Sequence, residues 1–177
     1  IVIGATGAFG QVACATLGRA GVKLTVTAGK TDTLALLKAD LEAAGITANS
    51  VARRPDTEAD CDEIVRAAVN AYGGVDILVV ASGMNDVAPI QDMSPERFDN
   101  VMRANVDGAW LIARAVGKQM IAQGRGGKVV FTSSARGKLG HPAGYSAYCT
   151  SKSAVDGLTR ALGCEWGKHG ITVNAIA

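Results

Sequence analysis

Three residues in the C-terminal half of the chain have the types and spacing for moving a proton: Ser134, Tyr148 and Lys152. Tyr148 and Lys152 stand four residues apart within Ser146 to Trp166, where Ala147, Val155, Leu158 and Leu162 repeat at helical spacing. A helix places the pair on one face, with their heads within reach of each other. A phenol titrates near ~10, so a phenolate at neutral pH requires a shift of about 3 units, or roughly 4 kcal/mol of differential stabilisation. A neighbouring lysine cation favours that phenolate, and a positively charged cofactor ring would add to it. Ser134 ends the β-rich run Lys128-Val129-Val130-Phe131-Thr132 and could hold a substrate oxygen against the phenol. The set suits general acid–base chemistry on a carbonyl/alcohol pair. A tyrosine and a lysine four apart are also an ordinary helix-face pair, so the reading depends on the elements around them.

At the start of the chain, the apolar strand Ile1-Val2-Ile3 runs into Gly4-Ala5-Thr6-Gly7-Ala8-Phe9-Gly10 and then into a helical stretch from Gln11. A strand, a glycine turn and a helix N-terminus hold a dinucleotide pyrophosphate, because small residues admit the backbone and unpaired N–H groups face the anion. Glycine is abundant, at 22 of 177 residues, so this spacing alone would equally fit a structural turn.

Together these segments resemble the short-chain dehydrogenase/reductase family. Val75-Asp76-Ile77-Leu78-Val79-Val80-Ala81-Ser82-Gly83 is similar to its fourth strand and the turn after it, and Ala104-Asn105-Val106-Asp107-Gly108 to the segment bearing its catalytic asparagine. Leu158 to Leu162 and Gly170 to Ile176 resemble the segments that follow the Tyr/Lys helix. The resemblance implies an α/β, Rossmann-type doubly wound parallel sheet with helices on both faces. It also implies a tetrad of Asn105, Ser134, Tyr148 and Lys152, in which Asn105 holds a water linking Lys152 to solvent and Lys152 also binds the nicotinamide ribose. By the same likeness Gly4, Thr6, Gly7, Phe9, Gly10, Ala81, Ser82 and Gly83 would contact the cofactor, together with Asn105, Tyr148 and Lys152.

The chain departs from the family pattern at several points. Its glycines read G-x-x-G-x-x-G rather than G-x-x-x-G-x-G, nearer the extended branch of the superfamily, with Ala8 where the middle glycine is expected. Both asparagines of the usual Asn-Asn-Ala-Gly turn are replaced in Val80-Ala81-Ser82-Gly83, leaving Ser82 and Asn85 to supply their hydrogen bonds. Ser134 lies one residue further from Tyr148 than is usual, so Ser133 remains an alternative for the serine role. Tyr145, seven residues before Lys152, has the tyrosine spacing of the enoyl reductase branch and rivals Tyr148.

Cofactor choice is expected at the end of the second strand, where an acid would bind the adenosine ribose and repel a 2′-phosphate. The chain has none there; it reads Thr27-Ala28-Gly29-Lys30-Thr31, and Arg53-Arg54 follow the third strand. Lys30 and Arg54 could pair with a phosphate, which favours NADP; Asp32 could instead serve as the acid, and NAD is then the alternative. The substrate should bind at the carboxyl ends of the strands, with Met84, Asn85, Arg136, His141 and Tyr145 as candidate contacts. His141 and Arg136 could equally be surface-loop residues. Arg136 would suit an acidic or polyhydroxylated substrate.

The formal charge of +2 is small and evenly spread, which argues against nucleic-acid or membrane surfaces. No apolar run approaches the ~20 residues of a membrane span. Cys14, Cys61, Cys149 and Cys164 are scattered and only two histidines are present, as expected of reduced thiols in a cytoplasmic protein without zinc. Cys149 adjoins Tyr148 and reads as packed rather than nucleophilic.

Strands are expected near Ile1–Ile3, Leu24–Ala28, Ile46–Ala52, Val75–Ala81, Lys128–Ser133 and Ile171–Ile176. Helices are expected near Gly10–Ala20, Thr33–Ala44, Ala59–Tyr72, Pro95–Gln123 and Ser146–Lys168. The alternation predicts one dinucleotide-binding catalytic domain over residues 1–177, and both ends read as cut from a longer chain. By the family likeness the two long helices would pack against copies in a partner subunit, giving a homo-oligomer, dimer or tetramer. The expected activity is an NAD(P)-dependent interconversion of a secondary alcohol and a ketone. An extended-branch epimerase or dehydratase that retains its cofactor, or a nucleotide-binding regulator without turnover, is the alternative.

Overall fold

The computed structural model describes residues Ile1–Ala177. Six strands alternate with helices: β1 (Val2–Ile3), α1 (Ala8–Arg19), β2 (Leu24–Thr27), α2 (Thr31–Ala43), β3 (Ala48–Val51), α3 (Glu58–Tyr72), β4 (Ile77–Val80), α4 (Pro95–Met102), α5 (Gly108–Gln123), β5 (Gly127–Thr132), α6 (Ser146–Trp166) and β6 (Ile171–Ile176). All neighbours are parallel, in the order β3-β2-β1-β4-β5-β6, so the chain order reverses at β1. This is the Rossmann-type doubly wound sheet.

Successive strand side chains point to opposite faces, and that alternation divides the core in two. Val2, Leu24, Val26 and Val79 face one way and pack with Cys14, Leu34 and Leu41 of α1 and α2. Ile3, Leu78, Val80, Val129 and Phe131 face the other way and pack with α3, α5 and α6 through Ile64, Ile112, Val116, Val155 and Trp166. Local signals fix several helix ends. Thr57 Oγ1 accepts the Asp60 N–H at the start of α3, and Ser94 accepts the Arg97 N–H at the start of α4, with Pro95 at the first position.

The long helix expected over Pro95–Gln123 is interrupted: Arg103–Asp107 forms a π-helical turn between α4 and α5, with Asn105 buried inside it. The third and fourth strands are shorter than expected, because Ile46 and Val75 are buried outside the ladder. No helix is long and apolar enough to cross a membrane.

Candidate active site

A cleft of about 430 Å³ opens at the carboxyl ends of β1, β2 and β4, where the chain order reverses. Its walls include Gly4, Thr6 and Gly7 from the turn after β1, Lys30 after β2, Arg53, Arg54 and Asp56 after β3, and Ala81, Ser82, Gly83 and Met84 after β4. Gly4 has φ +73°, and a Cβ there would lie 2.7 Å from the Ser82 backbone nitrogen, so only glycine lets the two turns meet. Gly7 lines the cleft and precedes α1, and no side chain caps the first N–H groups of that helix. Gly10 is buried under the turn, against Gly4 and Ala5. Phe9 projects from the first turn of α1, 38% exposed; neither it nor Gly10 lines the cleft.

The cleft's basic side is built by Lys30, Arg53 and Arg54. Arg53 is engaged by Glu63 at 2.9 Å and Asp60 at 3.5 Å, whereas Arg54 lies over Gly29 with only Asp56 nearby, at 3.8 Å. Lys30 has no acidic partner. Asp32 sits in the first turn of α2, exposed and outside the cleft wall. Asp56 is an acid of the cleft that the sequence reading overlooked, because its place just before the Thr57 cap reads as helix-start chemistry.

Beyond Gly83 the cleft meets a buried polar group. Asn105, 3% exposed, accepts the Met84 N–H at 2.7 Å and donates to Met84 O at 2.8 Å and to Ser151 Oγ at 2.9 Å. The Asn105–Ser151 bond ties the π turn to α6, and Ser151 Oγ in turn donates to Tyr148 O at 2.8 Å. Lys152, also 3% exposed, donates from Nζ to Thr132 O at 2.7 Å and lies 5.6 Å from the centroid of the Tyr148 ring. A Cβ on Gly83 would stand 3.4 Å from Lys152 Nζ and 3.6 Å from Asn105 Oδ1, so the three residues adjoin. Burial lowers the Lys152 ammonium below its ordinary range, partly offset by the Asp156 carboxylate.

Of the two serines, Ser133 is buried and donates its hydroxyl to Asp156 Oδ1 at 2.5 Å. Ser134 is half-buried, and its hydroxyl accepts the Arg136 N–H at 3.2 Å. The two tyrosines meet edge to face, with centroids 6.3 Å apart, and Tyr145 packs at 4.5 Å against His141. Arg136 is turned to its own loop, donating to Gly140 O at 2.8 Å, and Asn85 is exposed. The loop after β4 is joined to the loop before α6 by the Ala88 N–H to Gly144 O bond of 3.0 Å. Cys149 donates to Leu139 O at 3.6 Å and has no base beside it. Lys152, Tyr148 and Asn105 thus adjoin one another beside Gly83, at one end of a cleft whose other walls carry glycines and cations.

A family model described as short chain dehydrogenase matches residues 1–177. The chain is 51% identical over 178 residues to an uncharacterized oxidoreductase of Mycobacterium tuberculosis, a match that covers 100% of this chain and 65% of that protein. Among solved structures, NAD+-bound xylitol dehydrogenase superposes with a TM-score of 0.95 at 31% identity, over 99% of this chain and 67% of that one. A gluconate 5-dehydrogenase from Burkholderia cenocepacia J2315, in complex with NADP and tartrate, superposes with a TM-score of 0.92 at 26% identity, over 98% of this chain and 68% of that one. The chain therefore spans about two thirds of the length of each of these three proteins.

Proposed function

The chain belongs to the short-chain dehydrogenase family, and from that premise we propose that residues 1–177 form one dinucleotide-binding catalytic domain of an NADP-dependent oxidoreductase that interconverts a secondary alcohol and a ketone. The observation that carries the proposal is the buried Lys152 beside Tyr148, adjoining Asn105 and Gly83 at the end of the cleft. The cleft fits a dinucleotide: the Gly4 contact leaves no room for a side chain, and the uncapped start of α1 offers donors to a pyrophosphate. Gly4, Thr6, Gly7, Ala81, Ser82 and Gly83 would hold the dinucleotide, with Phe9 and Gly10 shaping the turn from outside the wall. When bound, its nicotinamide donates or accepts the hydride.

The chain's own residues then handle the proton. Tyr148 gives its phenolic proton to the carbonyl oxygen during reduction and takes one from the alcohol during oxidation. Lys152 stabilises the phenolate as a nearby cation, and Asn105 fixes the turn against which Lys152 and Gly83 sit. Ser134 holds the substrate oxygen, since the Ser133 hydroxyl is engaged by Asp156.

Lys30 and Arg54 in the cleft, with Asp32 outside it, support NADP over NAD. Asp56 beside Arg54, and the likeness to NAD+-bound xylitol dehydrogenase, favour NAD. The substrate class is a polyol or sugar acid, supported by the likeness to the xylitol and gluconate dehydrogenases and by His141 packed on Tyr145; Arg136 would have to leave Gly140 O to reach it. Met84 and Asn85 would line the opposite side. The G-x-x-G-x-x-G spacing keeps a second reading, an epimerase or dehydratase with retained cofactor. Four free thiols suit a cytoplasmic enzyme, and the oligomer is a homodimer or homotetramer.

The test is the full-length protein with NADP+, NAD+ and their reduced forms against xylitol, sorbitol, gluconate and the matching ketones. Net cofactor turnover with NADP(H) preferred is expected. Substrate conversion without net turnover would support the epimerase reading instead.

A further inference from the structure

Little more than one turn of α6, Lys152 to Asp156, grips the exit of β5 at three points. Lys152 Nζ donates to Thr132 O at 2.7 Å, Asp156 Oδ1 accepts from Ser133 Oγ at 2.5 Å, and Ser153 Oγ donates to Gly137 O at 2.7 Å. Ser134 lies between these anchors. The turn Ala135–Gly137 that follows it lies flush on the helix: a Cβ on Gly137 would come 2.6 Å from Asp156 Oδ2 and 3.1 Å from Lys152 O. Tyr148 stands on the same helix, so the element that carries the phenol also anchors the strand end that carries the Ser134 hydroxyl.

Within this grip the Asp156–Ser133 bond is the side chain to side chain link nearest Ser134. A hydroxyl donating to a carboxylate makes a short, charge-assisted bond, stronger than a neutral pair. Ser133 is 5% exposed and its N–H is bound to Ile176 O at 2.7 Å, so this residue has both backbone and side chain fixed. We propose that Asp156 is a positioning residue: by fixing Ser133 through that hydrogen bond, it sets where the next hydroxyl, Ser134, stands relative to Tyr148. The two adjacent serines then have different tasks, one held and one free to meet substrate. A change of loop length between Gly137 and Tyr148 leaves Ser134 in place, because the strand end and the turn on either side of it are both anchored to α6. The inference rests on the oxidoreductase reading above.

The experiment compares full-length wild type with Asp156→Ala, Asp156→Asn, Ser133→Ala and the Ser133→Ala/Asp156→Ala double variant. Turnover is read with xylitol, sorbitol and gluconate and either cofactor, and cofactor Kd by fluorescence titration. Asp156→Ala should lower kcat roughly ten- to a hundredfold, the scale of a small misplacement of a reacting group, with cofactor Kd unchanged. Asp156→Asn, which retains an acceptor oxygen, should recover most of that loss. Ser133→Ala should lose as much as Asp156→Ala, and the double variant no more than either. Wild-type kcat in Asp156→Ala, losses that add in the double variant, or an Asp156→Asn as impaired as Asp156→Ala would each overturn the role while leaving the oxidoreductase reading intact. A wild type without net turnover on any substrate, with either cofactor, would overturn that reading and the positioning role with it.

Discussion

At the scale of single residues the rival tyrosines make the sharpest test. Tyr148→Phe should abolish turnover while leaving cofactor affinity nearly unchanged, because the ring remains and only the transferable proton is lost. Tyr145→Phe, which keeps the ring packed against His141, should retain activity; the reverse pattern in a steady-state assay would move the proton to Tyr145. Lys152 offers a test that needs no substrate. Burial depresses its ammonium in the folded chain, so between the folded value and the unfolded one near ~10.4 the unfolded chain binds more protons, and native stability rises with pH. Lys152→Met removes that dependence. Its melting temperature relative to wild type should therefore be most favourable near neutrality and fall away as pH climbs toward ~10. A pH-independent difference would deny the buried charge its cost. Lys30→Ala with Arg54→Ala should weaken NADPH more than NADH in a binding titration, since only the former presents a phosphate to those cations. Tyr148, Lys152 and Asn105 were singled out by spacing and likeness, and the fold brings the three side by side. Ser134 was preferred over Ser133 from position alone; that the Ser133 hydroxyl is held by Asp156 was not legible, because the partner comes from a helix more than twenty residues further along the chain.

Among the elements, the π turn at Arg103–Asp107 has the most to lose from one substitution. Asn105 serves both backbone groups of Met84 and the Ser151 hydroxyl from inside it. Asn105→Ala should lower stability in urea by about 2 kcal/mol, the scale of leaving buried partners unpaired, and should weaken cofactor binding through the loop it releases. A stable variant with wild-type affinity would mean that the π turn forms without Asn105. The alternation of strands and helices was readable from apolar runs and periodicity, because parallel strands buried on both faces are continuously apolar. The break between α4 and α5 was not, since Met102 through Gly108 carries no proline and keeps helical character, and the widened turn depends on hydrogen bonds to a loop distant in sequence. The same limit explains β3 and β4: Ile46 and Val75 are apolar because they are buried, and burial alone does not make a ladder.

For the molecule as a whole, the face formed by α5 and α6 stands out. Trp110 is 48% exposed and Ile121 38%, beside a groove of about 230 Å³ that also involves Leu162 and Trp166. A partner copy covering this face would bury those rings, and light scattering on the full-length protein should show a dimer or tetramer that Trp110→Asp weakens. A monomer at micromolar concentration would remove the case for assembly. The order of the strands also bears on how the chain is made. β1 pairs with β2 on one side but with β4 on the other, through Val79 and Val80. During synthesis the β1-β2-β3 half can therefore assemble early, while the second edge of β1 waits, unpaired, for the chain that follows α3. A nascent chain paused before β4 would offer that open edge and the apolar face meant for α5 and α6 to whatever lies nearby. A delay before β4 therefore leaves one edge of β1 open, whereas a chain extended past Thr132 already contains five of the six strands and both neighbours of β1.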